Sequence, residues 1–268
     1  MTSEKRPTLS ALVVAHNEAD RIAACLEKLA FCDEIVVVLD RCTDHTDAVA
    51  RRFTDRLLPG AWPVEGERRN AGIAACQGDW VLEVDCDEHV PPALAEEIRR
   101  VIATSDADYH EIPVDNFIGP RRVRHGWGAS FGKAAYPGLF RKDAKSWGRA
   151  RVHPPLSWTG RHGQPAIKGA MLSQRIDHFV DRDPSDMLRR LDSYTTARAL
   201  DLLEAERVDG LPNNVRRLFS RTFKCYVMRR GYREGGLGLM IALMAGLYPL
   251  IAHLKARHWR QFPPPPQG

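Results

Sequence analysis

Asp85-Cys86-Asp87-Glu88 closes the apolar run Trp80-Val81-Leu82-Glu83-Val84. On a continuing strand, side chains alternate between faces, so carboxylates at i and i+2 project together. Two anionic oxygens at the end of a buried strand suit a hard divalent cation that keeps open positions for phosphate oxygens. A lone acidic pair ends many strands without binding anything, so the surroundings decide its meaning. Arg68-Arg69 lies just upstream, and a guanidinium there can meet phosphate charge. The phosphate fingerprints of other nucleotide sites are missing: no G-x-G-x-x-G follows the first apolar run, and no G-x-x-x-x-G-K-[ST] occurs. Phosphate charge must then be met by a metal and by basic side chains.

The elements that must hold these groups alternate. Residues 8–15 are a short apolar run of strand length, followed by His16-Asn17-Glu18 and an amphipathic helix carrying Ile22, Leu26 and Leu29. Asn17 is a candidate N-cap. Glu34-Ile35-Val36-Val37-Val38-Leu39 is β-branched and almost continuously apolar, as expected of a strand covered on both faces. It ends at Asp40, and Thr43 or Asp44 can cap a helix beginning near His45. A helix over about 67–76 precedes the strand that carries the acidic pair, and Pro91-Pro92 opens another. This βαβαβα order predicts a mostly parallel, Rossmann-like nucleotide-binding sheet flanked by helices, and such sheets bind ligands at the carboxyl ends of their strands.

The chain has 268 residues, 44% hydrophobic and 27% charged, ordinary for a folded protein. Its six cysteines show no C-x-x-C pair, which predicts reduced thiols and neither a disulfide framework nor a zinc site. The first seven residues lack the apolar segment of a signal peptide, so a cytoplasmic protein is expected. Charge is divided unevenly. Residues 1–120 hold 12 Lys/Arg against 23 Asp/Glu, while residues 121–268 hold 27 against 11. A basic half can dock on an acidic half, or on an anionic surface such as an inner membrane leaflet or a phosphorylated glycolipid. No nucleic-acid-binding signature accompanies the charge, and nucleic acid is not expected as a partner.

The ordered series Ala15-His16-Asn17-Glu18, Asp40 with Thr43-Asp44-His45-Thr46, Arg69-Asn70-Ala71-Gly72 and Gly78-Asp79-Trp80-Val81-Leu82-Glu83-Val84-Asp85-Cys86-Asp87-Glu88 resembles family 2 glycosyltransferases of the GT-A fold. Among these it looks most like the lipopolysaccharide core-biosynthesis glucosyltransferase type. The likeness is strong over about residues 8–105 and weaker beyond. It implies inverting transfer of a sugar from a nucleotide-sugar, assisted by Mg²⁺ or Mn²⁺, to a glycolipid or oligosaccharide acceptor. It also implies that Asn17 and Glu18 line the nucleotide pocket and that Asp40 faces the base or ribose. Asp85 would support the ribose and metal region, and Asp87 would ligate the metal. Two rivals have other chemistry: a nucleotidyltransferase, which would normally carry a glycine- and lysine-rich phosphate loop, and a non-catalytic nucleotide-sugar or glycolipid-binding protein.

Inverting transfer needs a base for the acceptor hydroxyl. Related sequences usually continue the segment matching Arg151-Val152-His153 with a glutamate, whereas this chain has Pro154. His153 is then the nearest candidate base, with Asp177 or His178 next. Arginines and tryptophans across 108–180 suit sugar stacking and anionic acceptors. Helices are expected over 183–208, 212–230 and 236–257, and residues 235–254 carry no formal charge. That stretch can lie on a membrane, be buried or form a homo-oligomer interface, or span a bilayer. The expected organisation is a GT-A domain over 1–180, a basic helical region over 181–260 and a proline-rich tail over 261–268. The enzyme would be peripheral on the inner membrane.

Overall fold

The computed structural model describes residues 6–128, 132–149, 155–205 and 210–262. In chain order the elements are β1 (Leu9–Ala15), α1 (Ile22–Glu27), β2 (Glu34–Asp40), α2 (Thr46–Ala50), β3 (Leu57–Gly60), α3 (Glu65–Ala75), β4 (Trp80–Asp85) and β5 (Glu88–His89). There follow α4 (Pro92–Thr104), β6 (Tyr109–Ile118), β7 (Arg121–Val123), β8 (Ala135–Arg141), β9 (Lys145–Trp147), β10 (Leu156–Trp158) and β11 (Ile176–Asp181). Three long helices close the chain: α5 (Pro184–Glu204), α6 (Leu211–Phe223) and α7 (Gly235–Trp259). Two compact units result, one of residues up to Asp115 with Ala134–Phe179, the other of Asn116–Lys133 with residues from Val180 onward.

The large sheet has the order β3-β2-β1-β4-β8-β6-β11-β5, with β7 paired to β6. Its β3-β2-β1-β4 part is parallel, as the βαβ alternation requires. The expectation of a mostly parallel sheet is met only there, because β8 returns antiparallel against β4 and β6 against β8. Strand alternation gives β1 two buried faces. Leu9, Ala11 and Val13 join Ile22, Leu26, Leu94 and Ile98 of α1 and α4 in one core, while Leu12 joins Val36, Val38, Phe140 and Ile73 of α3 in another. Each such aliphatic side chain contributes about 1.5–3 kcal/mol when taken from water. Gly72 makes the second core possible: a Cβ there would stand 2.5 Å from Leu12 Cδ1 and 2.8 Å from Val38 Cγ2, so only glycine lets α3 lie this close to the sheet.

In the second unit, Met187 and Leu191 of α5 pack with Ile241, Ala242, Met244 and Ala245 of α7. The buried Glu234 carboxylate accepts hydrogen bonds from the backbone N–H groups of Arg124 and His125, at 2.9 and 3.0 Å, and meets Arg121 at 3.2 Å. Those bonds tie the 116–133 segment to the helices. At Gly246 of α7 a Cβ would meet Leu218 O at 2.6 Å, so α6 and α7 cross in close contact. The helix over Gly231–Trp259 is long and apolar enough to cross a membrane, with a mean hydropathy of 1.9 in its most apolar window, yet half of that window is buried by the protein.

Candidate functional site

Three parallel strands deliver the candidate residues to one edge of the first unit. Val14 of β1 is in register with Asp85 of β4, and Ala15 with Leu39 of β2, so His16-Asn17-Glu18, Asp40 and Asp85-Cys86-Asp87 all follow adjacent strand ends. From β1 the chain steps outward to β2 and β3, then crosses through α3 to β4 on the other side of β1, which makes this edge the point where strand order reverses. Open α/β sheets hold ligands at that position.

The acidic pair is not arranged as a continuing strand. β4 stops at Asp85, and Cys86-Asp87 form a turn before β5. Cys86 is tucked inward with Sγ 3.5 Å from the Val14 carbonyl, and the buried Glu88 carboxylate accepts from the Asp85 N–H at 3.0 Å. Glu88 therefore locks the turn from inside the protein. The Asp87 carbonyl accepts from Phe179 N–H at 2.8 Å, pinning the turn to β11.

Asp87 Oδ1 is buried with no hydrogen-bond partner, and Oδ2 lies 3.5 Å from His178 Nε2. His178 is buried and sits opposite Glu88 in the β5–β11 ladder. Asp177 precedes it, so the alternation of strand side chains points Asp177 to the other face. His153 lies outside the described residues.

Asn17 does not cap α1, which starts five residues later behind Arg21. With a φ of 57° it turns its side chain across to the β2 loop, where Oδ1 accepts from Thr43 N–H at 2.8 Å and Asp44 N–H at 3.3 Å. Glu18 N–H donates to Thr46 Oγ1 at 2.8 Å, completing the tie between the two loops. Such left-handed non-glycine residues persist where surrounding bonds over-determine them. Burial lifts the Glu18 carboxyl above the usual range; Arg21 opposes this, and the negative charges of Asp87, Asp44 and Asp85 add to it.

Asp40 is wholly buried. It accepts from Arg41 at 3.0 and 3.1 Å, from Trp62 N–H at 3.1 Å and from Arg68 Nη1 at 3.0 Å. Burial acts to raise its pKa, but the bonds from Arg41, Trp62 and Arg68 prevail and hold it below the usual carboxylate range. Contact with a base or ribose requires Arg41 or Arg68 to move. Arg69 is engaged as fully: it reaches Glu65 at 2.9 Å, Glu83 at 2.6 Å and Asp85 Oδ1 at 3.0 Å. Its partners are carboxylates, and its fork orients Asp85. Behind it, Glu83 also pairs with the buried Lys145 at 2.6 Å. Sequence reading missed Glu83 and Lys145 as a unit, since a single glutamate inside an apolar strand and a distant lysine carry no shared pattern; the acidic residue in an otherwise buried run was the available signal.

Residues 10–152 match the family described as Glycosyl transferase family 2. The chain belongs to that family. A lipopolysaccharide core biosynthesis glycosyltransferase, LpsC of Rhizobium meliloti, is 33% identical over 265 residues, covering 92% of this chain and 91% of the relative. An uncharacterized glycosyltransferase of Rickettsia felis is 30% identical over 101 residues, and the chain covers only 36% of that relative's length. Among solved structures, glucosyl-3-phosphoglycerate synthase of Mycobacterium tuberculosis in complex with Mg²⁺ and uridine-diphosphate is 24% identical over 42% of this chain and 44% of that one, with a TM-score of 0.34. The mixed α/β sheet with its carboxylates at the parallel strand ends is the GT-A type of fold that the family resemblance implied.

No group of three or more His, Cys, Asp or Glu side chains is arranged to hold a metal ion among the described residues. The unpartnered, buried Asp87 Oδ1 is nonetheless an anionic oxygen that a cation would satisfy. A carboxylate site with few protein ligands fits an ion whose remaining positions go to water and phosphate oxygens.

Proposed function

We propose that this chain transfers a sugar, with inversion, from a nucleotide-sugar to a hydroxyl of an anionic glycolipid such as a lipopolysaccharide core. The observation that carries the reading is the buried, unpartnered Asp87 Oδ1 at the switch point of the sheet, inside a family 2 site. The similarity to LpsC supports the acceptor class. In this reading Asp87 and Asp85 hold Mg²⁺ or Mn²⁺, with His178 facing Asp87, and the bound ion would supply positive charge to the diphosphate. Asn17 and Glu18 line the nucleotide pocket. Asp40, with Arg68 folded onto it, shapes the side that meets the base or ribose. Arg69 keeps Asp85 turned toward the donor. The enzyme works from the cytoplasmic side, with its acceptor presented at the inner leaflet.

In the reaction the acceptor oxygen attacks the anomeric carbon as the bond to the diphosphate breaks, and the acceptor proton passes to a base. We assign that base to His153 over Asp177, because strand alternation turns Asp177 away from the face of β11 on which His178 meets Asp87. His153→Ala should lower turnover by about 10²-fold, the scale of general base catalysis, with donor affinity unchanged. An active His153→Ala beside an inactive Asp177→Ala moves the role to Asp177.

The donor is found by incubating the purified chain with uridine, guanosine, cytidine and thymidine nucleotide-sugars, with Mg²⁺ or Mn²⁺ and with chelator. Slow release of one nucleoside diphosphate, stopped by chelator, is the expected result. Formation of a nucleoside triphosphate and a sugar 1-phosphate only when pyrophosphate is added would identify a nucleotidyltransferase, and no binding or hydrolysis of any donor would refute a donor site.

A further inference from the structure

Helix α6 carries two rows of residues at i, i+4 spacing. One row, Asn214, Leu218 and Thr222, is turned inward, with Leu218 and Thr222 against Gly246 of α7. The other row is Leu211, Val215, Phe219 and Phe223, and the helical turn that follows extends it to Val227 and Met228. Residues four apart lie on one helix face, so this second row is a continuous apolar stripe. Every member is exposed, Phe219 by 69%, Phe223 by 58% and Met228 by 67%. Scattered exposed apolar residues need no explanation, whereas a stripe of this length marks an interaction surface.

The charge beside the stripe selects the partner. Between residues 210 and 233 the chain has seven Lys/Arg and no Asp or Glu. Arg216 and Lys224, on the flank of the stripe, are exposed, and so are Arg229, Arg230 and Arg233 just beyond it. An apolar stripe bordered by cations is the pattern of a helix that lies in the plane of a membrane interface, its apolar side among acyl chains and its cations at the headgroups. A nucleic acid or an acidic protein surface would use the cations and leave two phenylalanines without a role. α7 is a weaker candidate for this contact, although longer and more apolar, because half of its most apolar window is spent in the core.

We propose that α6 and the turn after it, residues 211–228, form a docking face for an anionic lipid bilayer, with Phe219 and Phe223 as the inserted side chains. This face belongs to the second unit alone, and the proposal does not depend on which donor or acceptor the first unit uses.

The test is sedimentation of the full chain with vesicles of phosphatidylcholine alone or mixed with phosphatidylglycerol. The wild type should bind the mixed vesicles at least about tenfold more tightly than the neutral ones, with partial loss as salt screens the headgroup attraction. Phe219→Glu/Phe223→Glu should reduce binding to mixed vesicles by about tenfold or more at every salt concentration. Both sites are exposed, so its melting temperature and circular dichroism should match the wild type. Arg216→Glu/Lys224→Glu should instead remove the preference for phosphatidylglycerol. Leu239→Glu/Leu243→Glu, on exposed positions of α7, should bind as the wild type does. The proposal falls if that α7 variant loses binding while the phenylalanine variant keeps it, or if the wild type binds neither vesicle. It also falls if the wild type is a dimer that the phenylalanine variant converts to a monomer, since the stripe is then a contact between two copies.

Discussion

Asp87→Ala and Asp87→Asn will each lower sugar transfer by about 10³-fold or more, because a metal clamp on a leaving diphosphate is worth several kcal/mol of transition-state stabilisation. The asparagine variant is the sharper of the two. It keeps the shape of the side chain and removes only the charge, on which ion binding depends. Calorimetry with Mn²⁺ and the nucleoside diphosphate should show that metal-dependent binding is lost in both. Stability should not follow activity. Asp87 holds its turn through its carbonyl, which accepts from Phe179, and its Oδ1 has no hydrogen-bond partner to lose. Removing the Asp87 charge also relieves repulsion with Glu18, whose pKa Asp87 acts to raise. The melting temperature should therefore stay the same or rise slightly. Near-normal turnover in the presence of chelator would refute the metal role.

The acidic pair and its strand could be read from sequence because local rules determine them. An apolar β-branched run with both faces buried can hardly be other than a strand in a covered sheet, and the βα alternation sets its parallel neighbours. For that reason β1, β2 and β4 appear within a residue or two of their expected limits. What lay beyond local rules was pairing between distant segments. β8 returns antiparallel to β4 from far along the chain, as in the pairing of Leu82 with Leu139, 57 positions on, and periodicity carries no record of a partner. The same limit applies at the site. Asn17 was legible as a polar residue after a strand, but its bonds to Thr43 and Asp44 depend on β1 and β2 lying side by side. Arg69 looked free to meet phosphate because Glu65, Glu83 and Asp85 converge on it only after α3 packs on the sheet. The helical region shows the reverse case. The uncharged stretch 235–254 drew attention by composition, whereas the spacing of Leu211, Val215, Phe219 and Phe223 gained meaning only when the opposite row proved to be the packed one.

The largest effect on stability is expected at Glu83, whose carboxylate lies between two cations inside the first unit. Glu83→Gln leaves the Lys145 ammonium almost fully buried, with the Pro137 carbonyl at 3.1 Å and no anion. Stranding one member of a buried ion pair costs about 3–5 kcal/mol, which is about 10 °C in Tm for a unit of this size. Lys145→Met should cost less, because Glu83 keeps Arg69 at 2.6 Å and the methionine fills the same apolar slot beside Trp147. The double variant should resemble Lys145→Met more than the sum of the two, since removing the lysine abolishes most of the penalty created by the glutamine. Acid titration gives an independent check. Burial acts to raise the Glu83 pKa, but Lys145 and Arg69 overcome it and hold the carboxyl below its ordinary value. A carboxyl depressed on folding stabilises the protein above its unfolded pKa, and that contribution is lost as the pH falls through the depressed value. Glu83→Gln should accordingly flatten the acid side of the stability curve while lowering its plateau near neutral pH. A glutamine variant milder than Lys145→Met would mean that Arg69 alone compensates this charge and that Lys145 is held by other partners.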